Sequence, residues 1–252
     1  MRCWDENRGT EVELNRLGDQ IQLEMAKSVW PDTDMQFVPI DRLHEFVERS
    51  IVQKALNAVD CGTENKLSIR RDHASLCDTI SESTSKLFII LAMMDELPTI
   101  LALVDEGVQD GHLPFFLEAG NNTERHLYRY VGDELKRIRN FEDHHGKWSA
   151  AKRIQFYQYY QWQVLSPCFS LSSNTGHEKL EHDKIILPFI EKWVPDNDPI
   201  MGGTCAVRRV KIHIAYQKHY LHNQEGVNPF CALKSLSINC PVEECKAEIR
   251  NL

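Results

Sequence analysis

Ala206-Val207-Arg208-Arg209-Val210-Lys211-Ile212-His213 is the stretch on which the reading of this chain turns. Its apolar residues recur every second position, the period of a strand with one face buried. Working outward, Met201-Gly202-Gly203-Thr204 supplies a glycine-containing turn just before it. Ile185-Ile186-Leu187-Pro188-Phe189-Ile190, further upstream, is a short apolar run of strand length. Downstream, Pro229-Phe230-Cys231-Ala232-Leu233-Lys234-Ser235-Leu236 reads as a third strand. From Val242 to Leu252 the pattern becomes helical, with Val242, Cys245, Ile249 and Leu252 on one face. The expected order is strand, turn, strand, long loop, strand, helix: three antiparallel strands and one helix.

Ahead of this sheet the chain reads as helical. Leu87, Ile90, Leu91, Met94, Leu97, Leu101 and Val104 recur at three- and four-residue steps, one apolar stripe along a helix. Ser83 or Thr84 suits its N-cap and Gly107 its stop. Pro98, inside that pattern, removes a backbone donor and should kink the helix or open a new one. A second helix is expected over Asp41 to Val59, and further helices over Arg71 to Ile80, Thr123 to Arg139 and the aromatic-rich Trp148 to Val164. The polar stretch from Ser166 to Asp183 separates the two parts. The expected domains are therefore a helical region over 1–182 and a sheet-containing region over 183–252.

Composition bounds the function. Of the 252 residues, 42% are apolar and 26% charged, with a net charge of -8. That balance suits a soluble globular protein and argues against nucleic acid as a partner. The longest apolar stretch, Leu87 to Met94, is too short to span a bilayer. The N-terminus Met1-Arg2-Cys3-Trp4-Asp5-Glu6 is charged where a secretory signal would be apolar, so no membrane partner and an intracellular, cytoplasmic or nuclear location are expected. The eight cysteines follow no zinc-ligand spacing and are expected as free thiols. His213, His219 and His222 also fit no ligand frame, so no metal site is expected.

The chemistry-bearing residues lie in the sheet region. Ala232 and Lys234 are two residues apart on a strand and so share a face. A small alanine leaves room for a flat ring, and the ammonium reaches phosphates as a point charge. Glu248, fourteen residues after Lys234, falls on the expected helix, where a carboxylate can hold such a lysine in place. Gly202 and Gly203 allow backbone amides to approach phosphates, and Val207 follows them. The alternative reading of each is structural: a surface glutamate, a hairpin turn, a chance triplet.

Taken in order, these residues resemble fungal protein-kinase-like proteins in which a helical region precedes a divergent serine/threonine kinase domain. The resemblance covers most of the chain. In the helical part it rests on Phe37-Val38-Pro39-Ile40 with Leu43, on Lys86 to Asp95 continued through Leu113-Pro114-Phe115, and on Tyr160 to Phe169. In the sheet part it rests on Ile186 to Phe189, Gly202-Gly203, Val207, Arg209 to His213 and Phe230 to Lys234. The resemblance implies ATP as ligand, Lys234 as the phosphate-contacting lysine, Glu248 as its ion-pair partner, Gly202 as the middle glycine of the phosphate loop, and Val207 and Ala232 as the residues enclosing adenine. The chain departs from the pattern at Ile200 and Cys205, which stand where the first and third glycines would be and should crowd the phosphates.

The fold class expected is mainly α, a helical region followed by a partial α+β kinase N-lobe. No H-R-D or D-F-G signature occurs in the 252 residues, so magnesium ligands and a catalytic base are absent from the reading and no catalytic residue is assigned. The expectation is a kinase-like, ATP-binding protein not competent for phosphoryl transfer as given. The alternative is a non-catalytic interaction module that meets a protein partner through its helical region.

Overall fold

The computed structural model describes residues 17–31, 34–62, 73–118, 125–141, 148–170, 180–193, 200–201, 205–218, 230–236 and 243. Helices and small sheets, mostly antiparallel, make up these residues. The chain divides into two compact units, Met1–Met25 with Phe37–Leu165, and Ala26–Gln36 with Ser166–Leu252. The sequence reading placed a single cut after residue 182. The division by contacts falls at Leu165/Ser166 and adds an early segment to the second unit.

The first unit is built around α5 (Ser85–Met93), in which Leu87, Phe88, Ile89, Ile90, Leu91, Ala92 and Met93 are all buried. A helix that is apolar all round belongs in a core. Its start is capped from a distance. The Asp110 carboxylate accepts from the Lys86 and Leu87 N–H groups at 2.8 and 3.0 Å and from Ser85 Oγ at 3.0 Å. Thr84 occupies the N-cap position without a side-chain cap bond. The single stripe expected from Leu87 to Val104 is two helices. Asp95 takes φ 56 and the Glu96 N–H returns to the Leu91 carbonyl at 2.8 Å, which closes α5 in a Schellman turn. Pro98 then stands at the N-cap of α6 (Thr99–Asp105). That helix ends as the first does, with Gly107 at φ 67 and the Val108 N–H on the Leu103 carbonyl at 2.9 Å.

Packed with these are a helix through residues 17–23 (α1), α2 (Ile40–Phe46), α3 (Arg49–Gly62) and α4 (His73–Ser83). The helix expected over Asp41–Val59 is broken between α2 and α3. Ser81 Oγ donates to the Val47 carbonyl at 2.8 Å, while the Ile51 and Val52 N–H groups turn to Glu48. Residues 17–23 approach α5 so closely that a Cβ on Gly18 would lie 2.5 Å from the Ala92 carbonyl oxygen.

Part of the region expected as a helix over Thr123–Arg139 is instead a hairpin. Phe116–Leu117 (one strand), Leu127–Val131 and Glu134–Arg137 form a three-stranded antiparallel sheet, β3-β4-β5 when β1 (Ala26–Lys27) and β2 (Gln36–Phe37) are counted first. Two features overrule the helical stripe. Leu127 and Arg129 are buried while Tyr130 is exposed, and Gly132 takes φ 62 at the first central position of a two-residue turn. A type II′ hairpin turn favours glycine there.

The aromatic segment 148–164 gives α7 (Ala150–Gln158), capped by Ser149 Oγ on the Lys152 N–H at 3.3 Å, followed by a 3₁₀ turn over Tyr160–Val164. Trp148 and Phe156 of this segment cluster with Phe115 and Phe141, Phe115 and Phe156 stacked at 5.4 Å and Phe141 edge-on to Trp148 at 4.4 Å. No helix among the described residues is long and apolar enough to cross a membrane.

The second unit carries an antiparallel sheet in the order β11-β9-β7, from β7 (Phe189–Trp193), β9 (Cys205–Ile212) and β11 (Phe230–Leu236), with β8 (Ile200–Met201) also on β9. β9 and β11 fall where the sequence placed strands; the strand expected over Ile185–Ile190 lies instead at Phe189–Trp193, and β8 is a short fourth. β6 (Phe169–Ser170) and β10 (Gln217–Lys218) pair in parallel. Ile186, Phe189, Val210, Ile212 and Tyr216 are buried. The early segment 26–36 is fastened to this sheet. The Val29 N–H donates to the Phe189 carbonyl at 2.8 Å and Ser28 Oγ to the Leu187 carbonyl at 2.7 Å.

Candidate functional site

The strand register decides which side chains meet. On β11 and β9, Lys234 pairs with Val207, Ala232 with Arg209 and Phe230 with Lys211. Directly opposite residues of an antiparallel pair share a face, and so do alternate residues along each strand. Val207, Arg209 and Lys211 therefore share one face with Phe230, Ala232 and Lys234. The structure brings together three of the residues the sequence singled out: Val207, Ala232 and Lys234. Gly202, Gly203 and Glu248 lie outside the described residues, as does the expected helix over Val242–Leu252 except for Glu243. Ile200 and Cys205 are on β8 and β9, and Cys205 is half-buried.

The face is cationic. Lys234 and Val207 are half-buried and Ala232 is exposed. Arg209 stands opposite Ala232, but its guanidinium leans to Phe230, with Cζ 3.9 Å from the ring centroid. Lys211 Nζ is 5.5 Å from the same ring and 3.1 Å from Glu191 Oε2. Cation–π contact thus gathers Arg209 and Lys211 at the Phe230 end. The Lys234 end, beside Val207, keeps the small Ala232 between the two groups. Sequence reasoning assigned no role to Arg209 or Phe230. The strand alternation used for Ala232 and Lys234 would have placed both on this face.

The opposite face carries Lys192 and Arg208, with Val210 and Ile212 buried. Trp30, from the early segment, takes Arg208 at 5.3 Å and Lys192 at 5.9 Å on its ring. Those two cations are committed to bracing the segment. His213 accepts at Nδ1 from the Ala215 N–H at 3.2 Å and caps the turn over Ile214–Tyr216, a structural role.

In the first unit the buried polar side chains serve the backbone. Gln161, fully buried, accepts from the Phe115 N–H at 2.8 Å and donates to the Phe115 and Tyr157 carbonyls at 3.3 and 3.0 Å. Arg153 donates to the carbonyls of Arg125, Phe141 and Trp148. Burial pushes the Asp110 carboxyl above the ordinary carboxylate range, against the lowering effect of its bonds to Lys86, Leu87 and Ser85. Lys152 and Glu96 form an ion pair beside the core.

As chemistry, the β9–β11 face offers cations and a small-residue gap. Glu191, on the neighbouring strand, is held by Lys211. This donor set suits an anionic ligand, and no group of three metal-ligating side chains occurs among the described residues. Comparison of the chain with protein-family models, with curated proteins and with solved structures finds no match in any of the three.

Proposed function

We propose that the β9–β11 face is the nucleotide-facing surface of a divergent protein-kinase-type N-lobe, with ATP as its ligand. Val207 and Ala232 flank the base, and Lys234 meets the phosphates. Gly202 and Gly203 belong to the covering turn and Glu248 is the partner of Lys234. The observation that carries this reading is the register: Lys234 directly opposite Val207, with Ala232 on the same face two residues away. The strand order β11-β9-β7, each neighbour antiparallel, supports it.

The proposal is one of binding. Phosphoryl transfer depends on a metal-holding aspartate and a base, and residues 1–252 carry no signature for either. Calorimetric titration with ATP, with and without magnesium, tests the proposal. The wild type is expected to release heat that Lys234→Ala and Ala232→Phe both abolish, the first by removing the phosphate contact and the second by filling the base site. Heat that survives both substitutions would place the ligand elsewhere.

A second reading is favoured by Cys205, whose side chain stands on β9 where a glycine would admit phosphate. Under it the sheet is a degenerate lobe in a non-catalytic interaction module, and the wild type gives no heat with ATP at all.

A further inference from the structure

We propose that His112 and Arg129 form a latch, opened by acid, that fastens the β4–β5 hairpin to the end of α6. The parts lie within the first unit. Arg129 projects from β4 and is almost fully buried. Its Nη2 donates to the Glu106 carbonyl at 2.8 Å and its Nη1 to the Gly107 carbonyl, in the turn that closes α6. Nη1 also lies 3.1 Å from His112 Nδ1, and the Gln109 N–H donates to that same nitrogen at 2.9 Å.

The chemistry of these contacts fixes the state of the imidazole. A guanidinium and a backbone amide can only donate, so Nδ1 must present a lone pair to both. His112 is then neutral, with its proton on Nε2. A proton on Nδ1 would face two donors, and it would set a half-exposed imidazolium against a guanidinium that is almost fully buried. All three hydrogen-bond partners of Arg129 are uncharged acceptors, so no carboxylate there offsets the added charge.

The other charged groups on the elements packed against His112 are already engaged or distant in role. Asp110, on the same turn, spends its carboxylate on the first amides of α5. Glu106, at the end of α6, accepts from the Arg139 and Asn140 N–H groups at 3.0 and 3.2 Å and from Asn140 Nδ2 at 2.7 Å. Lys86, in the first turn of α5, places its charge and its N–H at Asp110. Burial first, and the Arg129 charge second, hold the His112 pKa below its ordinary 6.5.

The sign follows from the neutral form being the one the fold holds. The unfolded chain takes up the proton first as pH falls. The latch is therefore fully closed above the ordinary imidazole range and weakens below it. When it opens, the hairpin loses its tie to the end of α6, and the carbonyls of Glu106 and Gly107 lose their donor.

The test uses the full chain. Hydrogen exchange of the amides over 127–137 and of Arg129's partners is followed from pH 7.5 to 5, beside nitrogen-15 shifts of the His112 ring. Wild type is expected to show the Nε2–H tautomer and to lose hairpin protection by up to about tenfold per pH unit below the imidazole range. His112→Asn places a carbonyl oxygen where Nδ1 stood. It accepts the same two bonds and does not titrate, so its hairpin protection is expected to be flat with pH. Acid loosening that persists unchanged in His112→Asn overturns the latch. So does a proton on Nδ1 in the wild type at neutral pH, a readout that decides the matter alone should the variant not fold.

Discussion

Helix α5 in the first unit and strand β9 in the second are each close to the centre of their own fold, and they use side chains in opposite ways. On α5 every residue from Leu87 to Met93 is buried, and the Asp110 carboxylate meets the helix only at its first turn. On β9 only alternate residues at one end, Val210 and Ile212, are buried, and the other face carries Arg209 and Lys211. The first unit spends its buried polar chemistry on itself, through Gln161, Arg153, Arg129 and Asp110. The second unit carries cations on both faces of its sheet, Arg209, Lys211 and Lys234 on one and Lys192 and Arg208 on the other. Stability and ligand chemistry should therefore respond to substitutions in different units.

The largest expected effect breaks the apolar side of this comparison. Ile90 is fully buried at the middle of α5. Ile90→Ala removes three methyl(ene) groups from a packed site and should cost about 2–5 kcal/mol in urea unfolding. Nucleotide binding measured where that variant remains folded should be intact. Next comes the polar side of the same unit. Gln161→Ala strips one acceptor and two donated bonds from buried backbone groups of Phe115 and Tyr157. A cost of about 1–3 kcal/mol is expected from leaving those groups unpaired, with Gln161→Glu no better because a buried charge replaces the amide.

How much of this was legible in the sequence differs by element for physical reasons. The period-two alternation of 206–213 and the apolar run of 230–236 predicted β9 and β11, and that same period placed Ala232 and Lys234 on one face. Gly107 was read as the α6 stop because only a residue tolerant of positive φ closes such a turn. The hairpin over 127–137 was missed. Leu127, Tyr130, Val131, Leu135 and Ile138 also fit a helical stripe, and Gly132-Asp133, the turn signal that distinguishes the two, was not weighed. The break between α2 and α3 was not readable locally: the Val47 carbonyl there accepts from Ser81, a residue remote in sequence. Arg129 and His112 were equally hidden: neither lies in a motif, and their meeting depends on the hairpin. The attachment of 26–36 to the sheet depends on the Val29 N–H and the Ser28 hydroxyl, each donating to a backbone carbonyl, which the spacing of apolar residues does not announce.

A smaller prediction concerns the two Schellman turns of the helical unit. Gly107→Ala meets no atom within 4 Å, so its cost is conformational, about 1–2 kcal/mol for an L side chain at φ 67. Gly107→Asn should recover most of that, since Asp95 shows at the end of α5 that a short polar side chain takes the same conformation. Thermal unfolding of the two variants side by side checks this. An alanine as good as asparagine would mean that the turn relaxes.

The smallest effect on stability is the sharpest test of the sheet. Arg209→Ala removes an exposed cation and its contact with Phe230, worth about 0.5–1 kcal/mol at an exposed site. Lys234→Ala removes a cation from the same face. If charge alone drew an anionic ligand, the two variants would weaken ATP binding alike, and high salt would erase the difference from wild type. The geometry predicts otherwise. Arg209 leans toward Phe230, away from the Val207–Lys234 pair, so its removal should leave ATP affinity unchanged while Lys234→Ala abolishes binding. Equal losses in calorimetry would reduce the site to a diffuse cationic surface. Unequal losses would tie binding to the position opposite Val207, the position the nucleotide reading requires.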